Sequence, residues 1–314
     1  MKQNPEFIGP HHEDDKREEA KEMLFGWSEK SKQPIDGELE KTEEEIQMVY
    51  VINEMIAEEL SRLGIDGYEP LSIEKIHLLT GEVFKKGVFN TKDLKGFFLS
   101  TNDVVCVNKD WVKNKAELFA TLLHELIHRA SKNKFYVDGK SDIYDARVGY
   151  RVRSAWKDPS RQRRLGGFNE IMTDLMVYKI LLNNQGLLAE SFGVTKDDIQ
   201  GPIYGYMNYV EIVENIAVAI GKTKGIPAPQ AFDDLERGQF QNSLLVLKDV
   251  EKAFGKGSLE ILSLLGILKN KEDDEKLEKL IGQFFAENDA GLRENLKTQI
   301  LEFVQKSQGE EKEI

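Results

Sequence analysis

Residues Leu118, Phe119, Leu122, Leu123, Leu126 and Ile127 recur at helical spacing, which makes the segment ending near Ala130 a largely buried helix. Asn114, followed three residues later by Glu117, reads as a capping box at its start. Into this apolar run the chain sets His124, Glu125 and His128, spelling H-E-x-x-H. Burying such groups without partners costs roughly 2–7 kcal/mol each, so the pattern demands a reason. Residues i and i+4 share a helix face. Both imidazoles can therefore reach one metal ion, with Glu125 beside the first directed at a water held there.

A catalytic zinc takes three protein ligands and keeps one position open. The third is not a histidine downstream, because none follows His128; only His11, His12 and His77 remain. That removes the H-E-x-x-H-x-x-G-x-x-H arrangement. Gly167-Phe168-Asn169-Glu170-Ile171-Met172-Thr173-Asp174 offers two carboxylates four residues apart on a second helix. Glu170 is the preferred third ligand, with Asp174 placed to accept the free N–H of a ligating histidine, which fixes its tautomer. Asp138, Asp142 and Asp145, close after the first helix, and Glu211 and Glu214 further on, stay open as alternatives.

With HELIH and NEIMTD both present, the chain resembles the gluzincin metallopeptidases, the thermolysin-like group in which H-E-x-x-H is followed by a glutamate ligand in an N-E-x-x-[ST]-D helix. The segment GFFLSTNDVVCVN, just before the first helix, is similar to the edge strand that holds peptide substrate in such enzymes. The resemblance covers about residues 96–182. It implies one zinc ion bound by His124, His128 and Glu170, with Asp174 behind a histidine. It also implies peptide-bond hydrolysis in which Glu125 assists attack by a zinc-bound water. The chain departs from the group in two ways. Glu170 lies 42 positions after His128, a wider spacing than the thermolysin type, and the usual downstream histidine is missing. Tyr204 or Tyr209 is the expected replacement as donor to the oxyanion. The competing expectation is a catalytically silent zincin fold that keeps zinc for structure and serves as an interaction or sensor module.

Composition narrows the setting. Asp and Glu number 55 against 43 Lys and Arg, a net charge of −12, which argues against nucleic acid or anionic membrane as the main partner; a peptide or protein substrate is what the resemblance implies. A single cysteine, Cys106, forms no internal disulfide, and the N-terminus carries acids where a secretory signal would be apolar. The expected location is the cytoplasm, and oligomeric state is unreadable.

The expected fold class is α+β and predominantly helical: a zincin-like core with a small sheet, an edge strand and an active-site helix, then a helical C-terminal part. Residues 1–43 read as a mostly disordered acidic leader. Residues 44–167 read as the zincin-like part, opening with an amphipathic helix over about 44–63 and a mixed segment over 73–84. Phe97–Leu99 and Val104–Val107 read as a strand pair, and 131–167 as an inserted loop or hairpin. Residues 168–314 read as the helical part that carries Glu170.

Overall fold

The computed structural model describes residues 6–8, 14–86, 94–137, 143–153, 163–200, 210–268 and 271–310. The chain gathers into two compact units, Met1–Val148 with Met176–Tyr204, and Gly149–Leu175 with Gly205–Ile314. It is predominantly helical with little sheet, in agreement with an α+β class.

The first unit runs β1 (Glu6–Ile8), α1 (Asp14–Lys30), α2 (Glu43–Arg62), β2 (Ile76–Leu79), α3 (Gly81–Lys86), β3 (Gly96–Leu99), β4 (Val104–Asn108), α4 (Lys115–Ala130), β5 (Asn133–Val137) and β6 (Ile143–Val148). Local chemistry sets the helix starts. Thr42 accepts from the Glu45 amide at 3.2 Å while the Glu45 carboxylate accepts from the Thr42 amide at 2.9 Å, a reciprocal cap for α2. At α4 only half of the expected box forms. Asn114 accepts from the Glu117 amide at 2.9 Å, whereas the Glu117 carboxylate turns to the Lys113 amide and to Lys95. Helix α2 packs on α4, and its Met48, Ile52, Met55 and Ile56 are essentially buried.

Three strands lie beside α4 in the order β2-β4-β3. The expected strand pair is present, antiparallel, with Phe97 opposite Cys106 and Leu99 opposite Val104. Its central member β4 is buried throughout, which is why Val104 to Val107 forms a continuous apolar run. β2 was hidden in the mixed segment. It pairs parallel to β4, His77 opposite Cys106, and a parallel partner brought in from outside a hairpin leaves no turn signal to read. Of the loop or hairpin expected for the insert, its first part is the hairpin: β5 pairs antiparallel with β6, and β1 adds in parallel to β5, Phe7 opposite Phe135.

The leader is the main correction. Residues expected to be mostly disordered form α1, whose Ala20 and Leu24 are buried. The end of α1 and the strap after it are tied to β2 and the residue before it by polar contacts across long sequence separations. His77, 2% exposed, bonds Glu38 through Nδ1 at 2.8 Å and the Ser31 carbonyl through Nε2 at 2.9 Å, and Lys75 donates to Ser28 at 2.5 Å. Composition counts charges without regard to partners, so a charged segment held by buried counterparts passes for a disordered one.

The remaining elements are β7 (Arg151–Arg153), β8 (Arg163–Arg164), α5 (Gly166–Asn183), α6 (Gln185–Phe192), α7 (Lys196–Gln200), α8 (Val210–Lys224), α9 (Ala228–Phe240), α10 (Leu247–Phe254), α11 (Ser258–Leu262), α12 (Lys271–Ala286) and α13 (Ala290–Glu310). The sequence pattern placed its second boundary, after the one at 43/44, at 167/168. The contacts divide the chain otherwise, with α5 giving its first half to the second unit and its second half, with α6 and α7, to the first. The second unit packs α8 against α9, α10 and α12 around one apolar cluster that includes Phe168, Ile171, Ile216, Leu235, Ile261 and Phe284. Gly167 is obligatory there, since a Cβ would sit 2.1 Å from the Leu265 carbonyl oxygen.

Buried carboxylates make the first unit acid-sensitive. Burial alone would raise Glu59, but Arg62 at 2.8 Å and Lys179 at 3.0 Å outweigh it and hold its pKa below the ordinary 4.5. Glu38, Glu45 and Glu117 are lowered in the same way, against burial, chiefly by Lys41, Lys109 and Lys95. A lowered folded pKa adds stability above the unfolded value, and that stability drains away as pH falls through the folded value. Melting temperature should be flat from pH 7 to about 5 and drop steeply below about 4.5. Scanning calorimetry checks this, and Glu59→Gln should lower the melting temperature at pH 7 while making the acid limb shallower. A Glu59→Gln protein with an unchanged acid limb would remove Glu59 from the explanation.

Candidate metal centre

The i, i+4 spacing on α4 does what helical geometry requires. His124 and His128 turn their Nε2 atoms toward each other at 3.0 Å, with ring centroids 4.6 Å apart and planes at 79°. Two nitrogens bound to one tetrahedral zinc at 2.0–2.1 Å would stand roughly 3.3 Å apart, so the pair is close to a ligand geometry. His128 is buried and His124 half-buried, as suits donors that meet an ion at the edge of a core.

Glu125 is buried on the same helix at 7% exposure, and the backbone of β3 lies against it. A Cβ at Gly96 would come within 3.2 Å of Glu125 Cγ and 2.9 Å of Thr121 Cγ2, so only glycine lets the strand run this near to the carboxylate-bearing face. Below it, burial pushes the Cys106 thiol up to about 12, with the Glu38 and Glu125 charges adding to the effect. Cys106 is accordingly a packing residue and no nucleophile at neutral pH.

Glu170 projects from the first half of α5. One carboxylate oxygen of Glu170 and one ring nitrogen each of His124 and His128 all lie within 4.8 Å of one another. These three form the one candidate metal-binding group of this kind among the described residues. Two imidazoles and a carboxylate are a donor set suited to a divalent first-row ion, and the residues present fit such an ion. Comparison with known protein families, curated proteins and solved structures finds no match to this chain.

The other candidates divide cleanly. Asp174 lies one helical turn beyond Glu170 and is buried at 7%. Glu211 and Glu214 are exposed on α8 and belong to no such group. Tyr204 and Tyr209 lie outside the described residues, as do Asp138 and Asp142 and the side chain of Asp145. Sequence reasoning missed Gly96, whose only signal is its position at the start of β3. It named Asn169 and Thr173 only as positions of the NEIMTD motif, with no role of their own, and gave Gln239 none, since it reads as an ordinary polar residue until burial is known. Among the described residues no helix is long and apolar enough to cross a membrane.

Proposed function

We propose that this protein is a zinc-dependent metallopeptidase with a zincin-like core, hydrolysing peptide bonds. The observation that carries the reading is the convergence of His124, His128 and Glu170 with a buried Glu125 next to the first of them. Zinc held there would supply a Lewis acid for the scissile carbonyl and a lowered pKa for an attacking water. With such an ion in place, Glu125 would be the proton acceptor for the attacking water and the proton donor to the departing amine nitrogen, a role open to a carboxylate on the helix face beside both histidines. Asp174, buried one helical turn beyond Glu170, would serve as acceptor for the N–H of a ligating imidazole and so favour the binding tautomer.

Substrate binding follows from the same strand geometry. β3 pairs with β4 on one side only among the described strands, and its residues are half-buried. An extended peptide laid along β3 gains main-chain hydrogen bonds without needing a particular side chain at each position. Glycine at 96 lets β3 itself run close to the face of α4 that carries Glu125.

The test uses the full chain with one equivalent of zinc and a mixed peptide library read by mass spectrometry. Cleavage should appear, stop when a chelator strips the metal, and return on adding zinc. A zinc-loaded protein that cleaves no member of the library would leave the metal with a structural role.

A further inference from the structure

Tyr150, Asn169, Thr173 and Gln239 are polar and essentially inaccessible, at 0%, 1%, 0% and 0% exposure, within the second unit. They are joined to one another. The Asn169 side-chain oxygen accepts from the Tyr150 amide at 2.8 Å, and Thr173 donates its hydroxyl proton to the Asn169 carbonyl at 2.9 Å. Gln239 on α9 donates to the Thr173 hydroxyl oxygen at 2.7 Å, and Tyr150 donates its phenol proton to the Leu235 carbonyl, also on α9, at 2.6 Å. The bonds therefore close a loop from residue 150 to α5, across to α9 and back.

Two glycines make the loop tight. Gly149 has φ +55°, and a Cβ there would fall 2.4 Å from the Asn169 side-chain oxygen and 3.1 Å from Gln239 Cγ. At Gly238 a Cβ would lie 2.4 Å from the Tyr150 hydroxyl. Neither position admits a side chain without displacing a member of the loop.

Apolar packing by Phe168, Ile171 and Met172 holds α5 in place but is not directional, so it sets the helix rotation weakly. Hydrogen bonds to buried partners set it strongly, because each has a narrow angular range and no water to replace it. Glu170 sits between Asn169 and Thr173 in the chain, and its direction is the rotation of α5. On a helix whose side chains reach roughly 5–6 Å from the axis, a turn of only about 5° carries a carboxylate about 0.5 Å. Metal–ligand distances tolerate about 0.2 Å.

We propose that Asn169, Thr173 and Gln239 are positioning residues, which lock the rotation of α5 through the Tyr150 loop and so aim the Glu170 carboxylate at the metal. The proposal rests on the metal-centre reading and goes beyond it, since none of the three contributes a ligand.

The full-length protein is titrated with Co2+, whose visible spectrum reports ligand number and geometry, and with Zn2+ against a chromophoric chelator. Gln239→Leu and Asn169→Leu should fold by circular dichroism, bind Zn2+ about 10–100-fold more weakly and show an altered Co2+ spectrum. Asn169→Asp keeps the acceptor for the Tyr150 amide and should restore both readouts. Where Asn169→Leu does not fold, Thr173→Val removes only the hydroxyl and is held to the same expectation. In a Glu170→Ala background, Gln239→Leu should cause no further loss, because the group it aims is gone. Wild-type affinity and spectrum in folded Gln239→Leu would overturn the proposal, as would an undiminished loss in the Glu170→Ala background. A wild-type protein that takes up neither Co2+ nor Zn2+ would overturn the metal-centre reading and this proposal together.

Discussion

Glu125→Gln is expected to keep its metal, keep its fold and lose peptide hydrolysis by about 10²–10⁴-fold, the range that general acid–base catalysis contributes. Glutamine matches glutamate in volume, so the site on α4 beneath β3 neither opens a cavity nor crowds Gly96. What changes is that an amide oxygen does not take up a proton at neutral pH. The attacking water then has no base beside it, and the leaving amine has no acid. Metal content by elemental analysis and the melting curve serve as controls, because Glu125 is not among the three converging ligands. Hydrolysis at the wild-type rate would exclude Glu125 as the base, while loss of metal together with activity would make its role structural.

Glu170→Ala should lower zinc affinity by more than about 100-fold, beyond the 10–100-fold that loss of a residue behind a ligand causes. The truncation takes away one of three protein donors and leaves His124 and His128 as a two-nitrogen site. Their Nε2 atoms at 3.0 Å still bind a metal, though loosely, so competition with a chelator of known affinity resolves the change better than stoichiometry at high concentration. Asp142→Ala is the matched comparison and should bind as tightly as wild type. Zinc held equally well by Glu170→Ala would move the third ligand elsewhere and overturn the proposed three-ligand site.

The two helices that carry the metal-binding group differ in how much of them was legible. For α4, periodicity and the Asn114 cap placed the element at Lys115–Ala130, and the i, i+4 rule then put both imidazoles on one face. For α5, the pattern marked a helix beginning near Phe168, close to the observed Gly166 start, but said nothing of what surrounds it. Glu170 was legible through the NEIMTD motif, whereas Gln239, 69 positions further along, carries no mark that ties it to that motif. The same holds for α1. Leu24 is legible as apolar, yet the bonds from His77 to Glu38 and Ser31 that hold the strap after α1 depend on a strand, β2, that the pattern did not show.

What the sequence determined by itself was therefore local: the capped helix α4, its two histidines on one face with a carboxylate beside them, and the β3–β4 hairpin. These follow from backbone periods of 3.6 and 2 residues, which act over a few positions and need no knowledge of the rest of the chain. Tertiary structure alone decided the rest. It brought a Glu170 oxygen within 4.8 Å of the ring nitrogens across 42 residues of chain, seated β2 beside β4, and buried Gln239 and Thr173 in a hydrogen-bonded loop. Those placements are set by packing and by the need to satisfy buried polar groups, quantities that belong to the whole fold and leave no period in the sequence.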